Sequence, residues 1–209
     1  MRNFKMDNDM YGKLPNLILG FHGCDRDVFE SVIHKNNELI GSKNAYDWLG
    51  NGIYFWEHNL ERAWDWAYEL EKRSKVKTPA VIGAVIDLGY CLNLLDSRYI
   101  NIVKDHFVDF KKIMEALDKP LPQNKNSGDN TDLLLRNLDC AVIEDLHTTR
   151  KRGVEPAFDS VRGLFREGKE IYPTAGFYEK THIQICVRNP NCIKGYFNPI
   201  SANSSFAIP

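Results

Sequence analysis

Apolar residues change their spacing several times along the chain, and each change marks an element. Leu17 to Phe21 is a short continuous apolar run after Pro15-Asn16, the pattern of a buried strand ending at His22-Gly23. Val28, Phe29, Val32 and Ile33 then recur at helical spacing, which predicts a helix over about Asp25 to Lys35. A polar loop around Gly41 to Asn44 follows, and Gly50-Asn51-Gly52 predicts a turn into the strand Ile53-Tyr54-Phe55. Leu60, Ala63, Trp64, Ala67 and Leu70 line one face of a helix from Asn59, its N-cap, to about Lys72.

Ala80 to Leu88, rich in Val and Ile between Pro79 and Gly89, reads as a central strand. Val103, Phe107, Phe110, Met114 and Leu117 step by four and three, so a helix packs one face there. Asp118 to Thr131 has two prolines and one apolar residue, Leu121, and reads as a surface loop within one domain spanning residues 1–209. A helical stretch is expected from Asp132 to Leu138, and Thr148 to Tyr178 reads as irregular. Ile183 to Val187 and Ile193 to Phe197 are short strands. Strands and helices mixed without regular βαβ alternation predict an α+β fold.

A 43% hydrophobic fraction with 26% charged residues is that of a soluble globular chain with a substantial core. The net charge of −1 supplies no bulk attraction to nucleic acid or membrane, though a local patch can still be basic. Five scattered cysteines without a CxxC pair argue against a disulfide framework or zinc site, and they read as small core residues. The polar N-terminal stretch of residues 1–13 lacks a signal-like apolar segment, and no apolar run approaches the roughly 20 residues of a membrane helix. The cytoplasm is the expected compartment. Neither GxGxxG nor GxxxxGK[ST] occurs.

Three segments carry the chemistry. The first is Gly20-Phe21-His22-Gly23. The second is Trp48-Leu49-Gly50-Asn51-Gly52-Ile53-Tyr54-Phe55, with the helix containing Ala63, Trp64 and Trp66 close behind. The third is Thr181-His182-Ile183-Gln184-Ile185-Cys186-Val187, followed by Ile193 to Phe197. In this order and approximate spacing they resemble the ADP-ribosyltransferase superfamily, in its branch similar to poly(ADP-ribose) polymerases and diphtheria-type toxins. The resemblance brackets nearly the whole chain, and the G-x-G-I-Y-F run is its most specific part.

The resemblance implies an NAD cleft between central mixed or antiparallel sheets with flanking helices, and NAD as co-substrate without a metal. His22 would bond the adenosine ribose, since an imidazole offers a donor and an acceptor. The backbone of Gly23 would bind the nicotinamide amide, and Tyr54 would stack on the nicotinamide ring. The family's second aromatic is missing, which leaves Trp64 or Trp66 to cover the other ring face, although both also fit an ordinary helix core. At the third position many members carry glutamate, whose charge stabilises the oxocarbenium-like sugar as nicotinamide leaves. Here Gln184 supplies the hydrogen bond with only a dipole, as in single-unit transferases and inactive binders of the family.

His182 stands where arginine- and asparagine-modifying toxins carry Glu or Gln, so the acceptor is not carried over. Histidine there is either a general base or an ordinary strand-face residue. The segment of about 150–178, with Arg150-Lys151-Arg152, Arg162 and Tyr178, is where the family places its acceptor-facing loop. The chain therefore reads as a mono-ADP-ribosyltransferase acting on RNA, DNA or protein, with nucleic acid favoured. NAD hydrolysis and non-catalytic binding of NAD or ADP-ribose are the alternatives. By analogy with bacterial toxin and phage-defence effectors, an antitoxin or inhibitor protein is a partner to look for.

Overall fold

The computed structural model describes residues 17–127, 132–153 and 155–207. The polar stretch 1–13 and the end of the 118–131 loop lie outside these residues. The chain is mixed α+β, with a large sheet and four helices among the described residues. None of these helices is long and apolar enough to cross a membrane.

In chain order the elements are β1 (Ile18–Asp25), α1 (Arg26–Lys35), β2 (Ile53–Glu57), α2 (Leu60–Lys72), β3 (Pro79–Ile86), β4 (Cys91–Asn93) and α3 (Ser97–Ala116). A small ribbon of β5 (Asn124–Lys125) and β6 (Leu135–Arg136) precedes α4 (Asn137–Arg152), and β7 (Ser160–Phe165), β8 (His182–Val187) and β9 (Ile193–Phe197) complete the fold. The sheet runs β4-β7-β8-β2-β1-β3-β9 and is antiparallel except for the parallel β4/β7 edge.

Local chemistry sets the helix starts. Asp25 accepts from the Asp27 N–H at 3.0 Å, and its other oxygen takes the Lys77 N–H at 2.6 Å, so one carboxylate caps α1 and anchors the turn before β3. Asn59 accepts from the Arg62 N–H at 3.0 Å and caps α2, a contact that contributes about 1 kcal/mol.

Side-chain alternation gives the sheet two different faces. One carries Ile53, Phe55, Ile82, Ile86, Ile185 and Val187 and packs under Phe29 and Val32 of α1. The other divides into two cores. Phe21, Trp56 and Val81 pack with Ala63 of α2, whereas Leu92, Val161 and Cys186 pack with Tyr99 of α3 and Ile143 and Leu146 of α4. All five cysteines are buried free thiols.

Four local expectations are corrected. β1 continues to Asp25, so His22 and Gly23 lie inside a strand rather than at its end. The stretch 132–138 is not a helix of its own, because β6 interrupts it and α4 begins only at Asn137. The segment 148–178 is not one irregular loop, since it holds the last turn of α4 and all of β7. The 118–131 loop contains β5, which Asn124 ties to the start of α4 by accepting from the Leu138 N–H at 2.9 Å.

Candidate active site

The site begins where two strands part. β1 pairs with β3 at all eight positions from Ile18 to Asp25, but with β2 only at Gly20↔Glu57 and Phe21↔Trp56. The Leu19 carbonyl accepts from His58 on the β2 side, so by strand alternation Phe21 and Gly23 also direct their backbone groups that way. The ladder stops one hydrogen-bonded pair short of Gly23↔Tyr54. In its place the His22 Nδ1–H donates to the Tyr54 carbonyl at 2.8 Å. A carbonyl can only accept, so Nδ1 carries the proton and Nε2 keeps a free lone pair. Burial lowers the His22 pKa more than this bond raises it, which keeps the ring neutral.

The glycines have separate reasons. A Cβ on Gly23 would stand 2.3 Å from the Ala63 carbonyl oxygen, so the missing side chain serves the close packing of α2. It is the backbone edge of Gly23, not its Cα side, that faces the gap. Gly50 has φ +80°, and a Cβ on Gly52 would stand 2.5 Å from Cys186 Sγ. The turn they form is held from α4. Glu144 accepts from the Asn51 N–H at 2.7 Å and pairs with Arg188, whose Nη1 also donates to the Asn51 carbonyl at 3.0 Å. Burial pushes the Glu144 carboxyl up, but the Arg188 and Asn51 hydrogen bonds outweigh it and leave the pKa below its ordinary value.

That turn fixes Tyr54. Its hydroxyl donates to the Gly50 carbonyl at 2.8 Å and accepts from the Leu49 N–H at 3.0 Å, so the ring is clamped at its polar end. Burial pushes the phenol pKa far up. Tyr54 pairs with Cys186 and Trp56 pairs with Gln184, which makes Tyr54 and Gln184 diagonal cross-strand neighbours, roughly 7–8 Å apart.

Gln184 is oriented by a residue to which the sequence assigns no role. The Trp48 indole Nε1–H donates to Gln184 Oε1 at 2.7 Å. Trp48 lies beside Gln184 because β7 carries Gly163 there, where a Cβ would stand 2.8 Å from the indole ring. One lone pair of Oε1 and both amide hydrogens remain for a ligand. Trp48, Phe165, His182, Trp56 and Trp66 form a chain of ring contacts with centroids 5.0 to 6.4 Å apart. Trp66 thus joins the neighbourhood of Gln184, whereas Trp64 stacks on Tyr68.

The residues expected to face an acceptor divide. His182 is 6% exposed, donates from Nδ1 to the Lys180 carbonyl at 2.6 Å, and is pushed down by burial to a pKa of about 4. It is a neutral ring between Trp56 and Phe165 and is poorly matched to proton abstraction near neutral pH. Arg162 is bonded to both oxygens of Glu57 at 2.5 and 2.6 Å, and these bonds raise its pKa. Both residues lie on the α1 face, as does His22, which pairs with Ile82 and contacts Phe55, whereas Tyr54 and Gln184 lie on the other face. Arg150 is corrected as well. It is buried, donates to the Pro156 carbonyl at 2.8 Å and lies 4.4 Å from the Phe158 ring centroid, so only Lys151 and Arg152 are exposed.

The remaining loop, 166–181, is ordered by its own bonds. Ile171 and Glu179 donate to the carbonyls of Phe177 and Lys169, and Arg62 and Lys180 bridge Glu167 and Glu69 between the loop and α2. Ile171, Tyr172 and Phe177 are 53%, 56% and 64% exposed at its tip. Below it a cavity of about 510 Å³ is lined by Trp48, Phe165, Tyr178, Arg136, Arg166 and Asp132, among others. Among the described residues no cluster of His, Cys, Asp and Glu is arranged to hold a metal ion.

Fold and site together define a mixed α+β protein whose sheet opens between a histidine strand and a tyrosine strand. The chain is similar to an uncharacterized protein of Methanocaldococcus jannaschii, 29% identical over 192 residues that cover 83% of each chain. No family model and no solved structure matches it.

Proposed function

We propose that this chain is an NAD-dependent ADP-ribosyltransferase of the cytoplasm that transfers one ADP-ribose unit to a macromolecule. The parting of β1 and β2 at His22 carries the reading: it leaves the Gly23 backbone edge unladdered, with the His22 imidazole on the α1 face of the gap and the clamped Tyr54 ring on the other. We read that opening, which lies within one seven-stranded sheet rather than between two sheets, as the NAD cleft.

The residues fit such a ligand. The Gly23 backbone edge offers a donor and an acceptor in the strand plane, which suits a carboxamide. His22 Nε2 offers an acceptor to a sugar hydroxyl. Tyr54 presents a ring face that cannot swing, because its hydroxyl is held at both ends. Trp66 contacts Trp56, the cross-strand partner of Gln184. When bound, NAD supplies its own labile glycosidic bond to the reaction. Gln184 would then hold the sugar hydroxyl with its open lone pair, as a preorganised dipole beside the charge that grows on the ring.

A second reading, binding without turnover, is favoured by the same hydrogen bond. Trp48 already occupies one lone pair of Gln184, and the site has no carboxylate at that position. Time-resolved nicotinamide release, with and without RNA, DNA and protein, separates the readings. Release that depends on a macromolecule supports transfer, equal release without one indicates NAD hydrolysis, and saturable NAD binding without release indicates a binding domain.

A further inference from the structure

The cavity under the 166–181 loop lies on the other side of Gln184 from the β1/β2 opening. Gln184 stands on β8, with β2 and β1 to one side and β7 to the other, and Phe165 and Arg166 bring the cavity in from the β7 side. The link between cavity and Gln184 is direct, since Trp48 lines the cavity and donates its indole N–H to Gln184. Gln184 is not itself among the lining residues, so the Trp48 indole separates a molecule held there from the third position.

The walls specify a flat, electron-rich ligand. The Arg136 guanidinium lies over Phe165 at 4.9 Å from its centroid, and the Arg166 guanidinium lies over Tyr178 at 5.0 Å. Two cation-faced rings therefore border one cavity, and Trp48, its N–H already engaged, adds an apolar ring. Arg136 is anchored to the Asp132 carbonyl and the Asp139 carboxylate at 3.0 and 3.3 Å, and its Nε is buried with no hydrogen-bond partner. Arg166 is exposed, and no acid pairs with it among the described residues. The volume of about 510 Å³ is within the range of small-ligand pockets.

We propose that this cavity receives one unpaired base of a single-stranded nucleic acid, with Arg166 on the adjoining phosphate, and so anchors an acceptor strand. Every base has a π-face that aromatic and guanidinium planes stack on, whatever the sequence. The net charge of −1 is unsuited to a long electrostatic groove but compatible with a pocket gripping a single unit. The proposal rests on the transferase reading. In transfer to a base of the bound strand, a ring or exocyclic nitrogen gives its lone pair to the ribose carbon. The bond from that carbon to nicotinamide breaks with its electron pair, which neutralises the pyridinium nitrogen, and the base nitrogen loses its proton to solvent.

The test is binding measured without NAD, so that it does not depend on turnover. Fluorescence anisotropy follows a short mixed-sequence single-stranded RNA, its DNA equivalent and an acidic peptide at low salt. Wild-type protein is expected to bind both oligonucleotides and not the peptide, with a salt slope of about one phosphate. Arg166→Gln and Tyr178→Leu are each expected to weaken binding about ten-fold at unchanged thermal midpoint. If the tyrosine variant does not fold, the exposed Arg166 carries the test alone. Absence of oligonucleotide binding, equal binding by Arg166→Gln, or displacement by the peptide overturns the proposal. Failure of the transferase reading is seen separately, as absence of nicotinamide release by the wild-type protein.

Discussion

Trp48 and Gln184, 136 residues apart in the chain, are joined by an indole N–H···O=C bond of 2.7 Å. The bond also fixes the amide orientation, because an indole nitrogen can only donate. Gln184 is thus a side chain held in one pose on a strand, and its holder has no catalytic atom of its own.

If that pose matters, Trp48→Phe should lower kcat for nicotinamide release about ten-fold while the KM for NAD changes little. Gly163→Ala should act in the same direction, since its new methyl meets the Trp48 ring. Steady-state kinetics check both. Equal loss in kcat for a core variant on the other face of the sheet, such as Val32→Ala of α1, would reduce Trp48 to a packing residue.

His22→Ala should weaken NAD binding about ten-fold, the effect of losing one polar contact worth on the order of 1–2 kcal/mol. His34→Ala should leave it unchanged, since that side chain is 61% exposed on α1, beside Glu30 and Phe29. Calorimetric titration of the two variants giving equal affinities would remove His22 from the site.

Arg188→Ala leaves Glu144 half-buried without its cation and frees the turn that clamps Tyr54. A loss of about 2–3 kcal/mol is expected, or roughly 5–10 °C in the thermal midpoint. Circular dichroism melts check this, and a change under 1 °C would show that the ion pair is dispensable.

Acid should destabilise the protein before most carboxylates titrate. His147 and His182, 1% and 6% exposed, are both pushed down by burial to about 4, from an ordinary 6.5. Between those values the unfolded chain binds more protons than the folded one, so stability rises with pH from about 4 to 6.5 and falls as pH drops through that window. Each ring contributes on the order of 1–3 kcal/mol across it. Urea unfolding at pH 7, 6 and 5 measures the slope, and flat stability over that span contradicts the burial of these rings.

Much of the scaffold is legible from spacing alone, because α1, α2, β3 and β8 each bury one regular set of positions or a continuous apolar run. Asn59 caps α2 as its position before the apolar stripe implies. The α4 helix is hard to read, since its buried positions include His147 and Arg150 alongside Cys140, Val142, Ile143 and Leu146. β7 hides for a similar reason: Arg162 and Gly163 interrupt its apolar pattern, and residues distant in the chain, among them Glu57 and Trp48, explain them. The three motifs mark strands that do adjoin, with β1, β2 and β8 side by side. Their orientation is a different matter. That Arg162 faces away from Gln184, and that Trp48 rather than His182 attends it, follows from pairings between distant strands that leave no local signature.

The central claim is tested most directly by nicotinamide release from NAD in wild-type, Gln184→Ala and Gln184→Glu proteins, measured under single-turnover conditions. The account predicts release by the wild-type protein and a loss of about ten- to a thousand-fold in Gln184→Ala, with NAD binding little changed. In Gln184→Glu release should be kept or raised, because a carboxylate still accepts from Trp48 and adds a negative charge beside the sugar. No release by any of the three proteins, or equal rates in wild-type and Gln184→Ala, contradicts it.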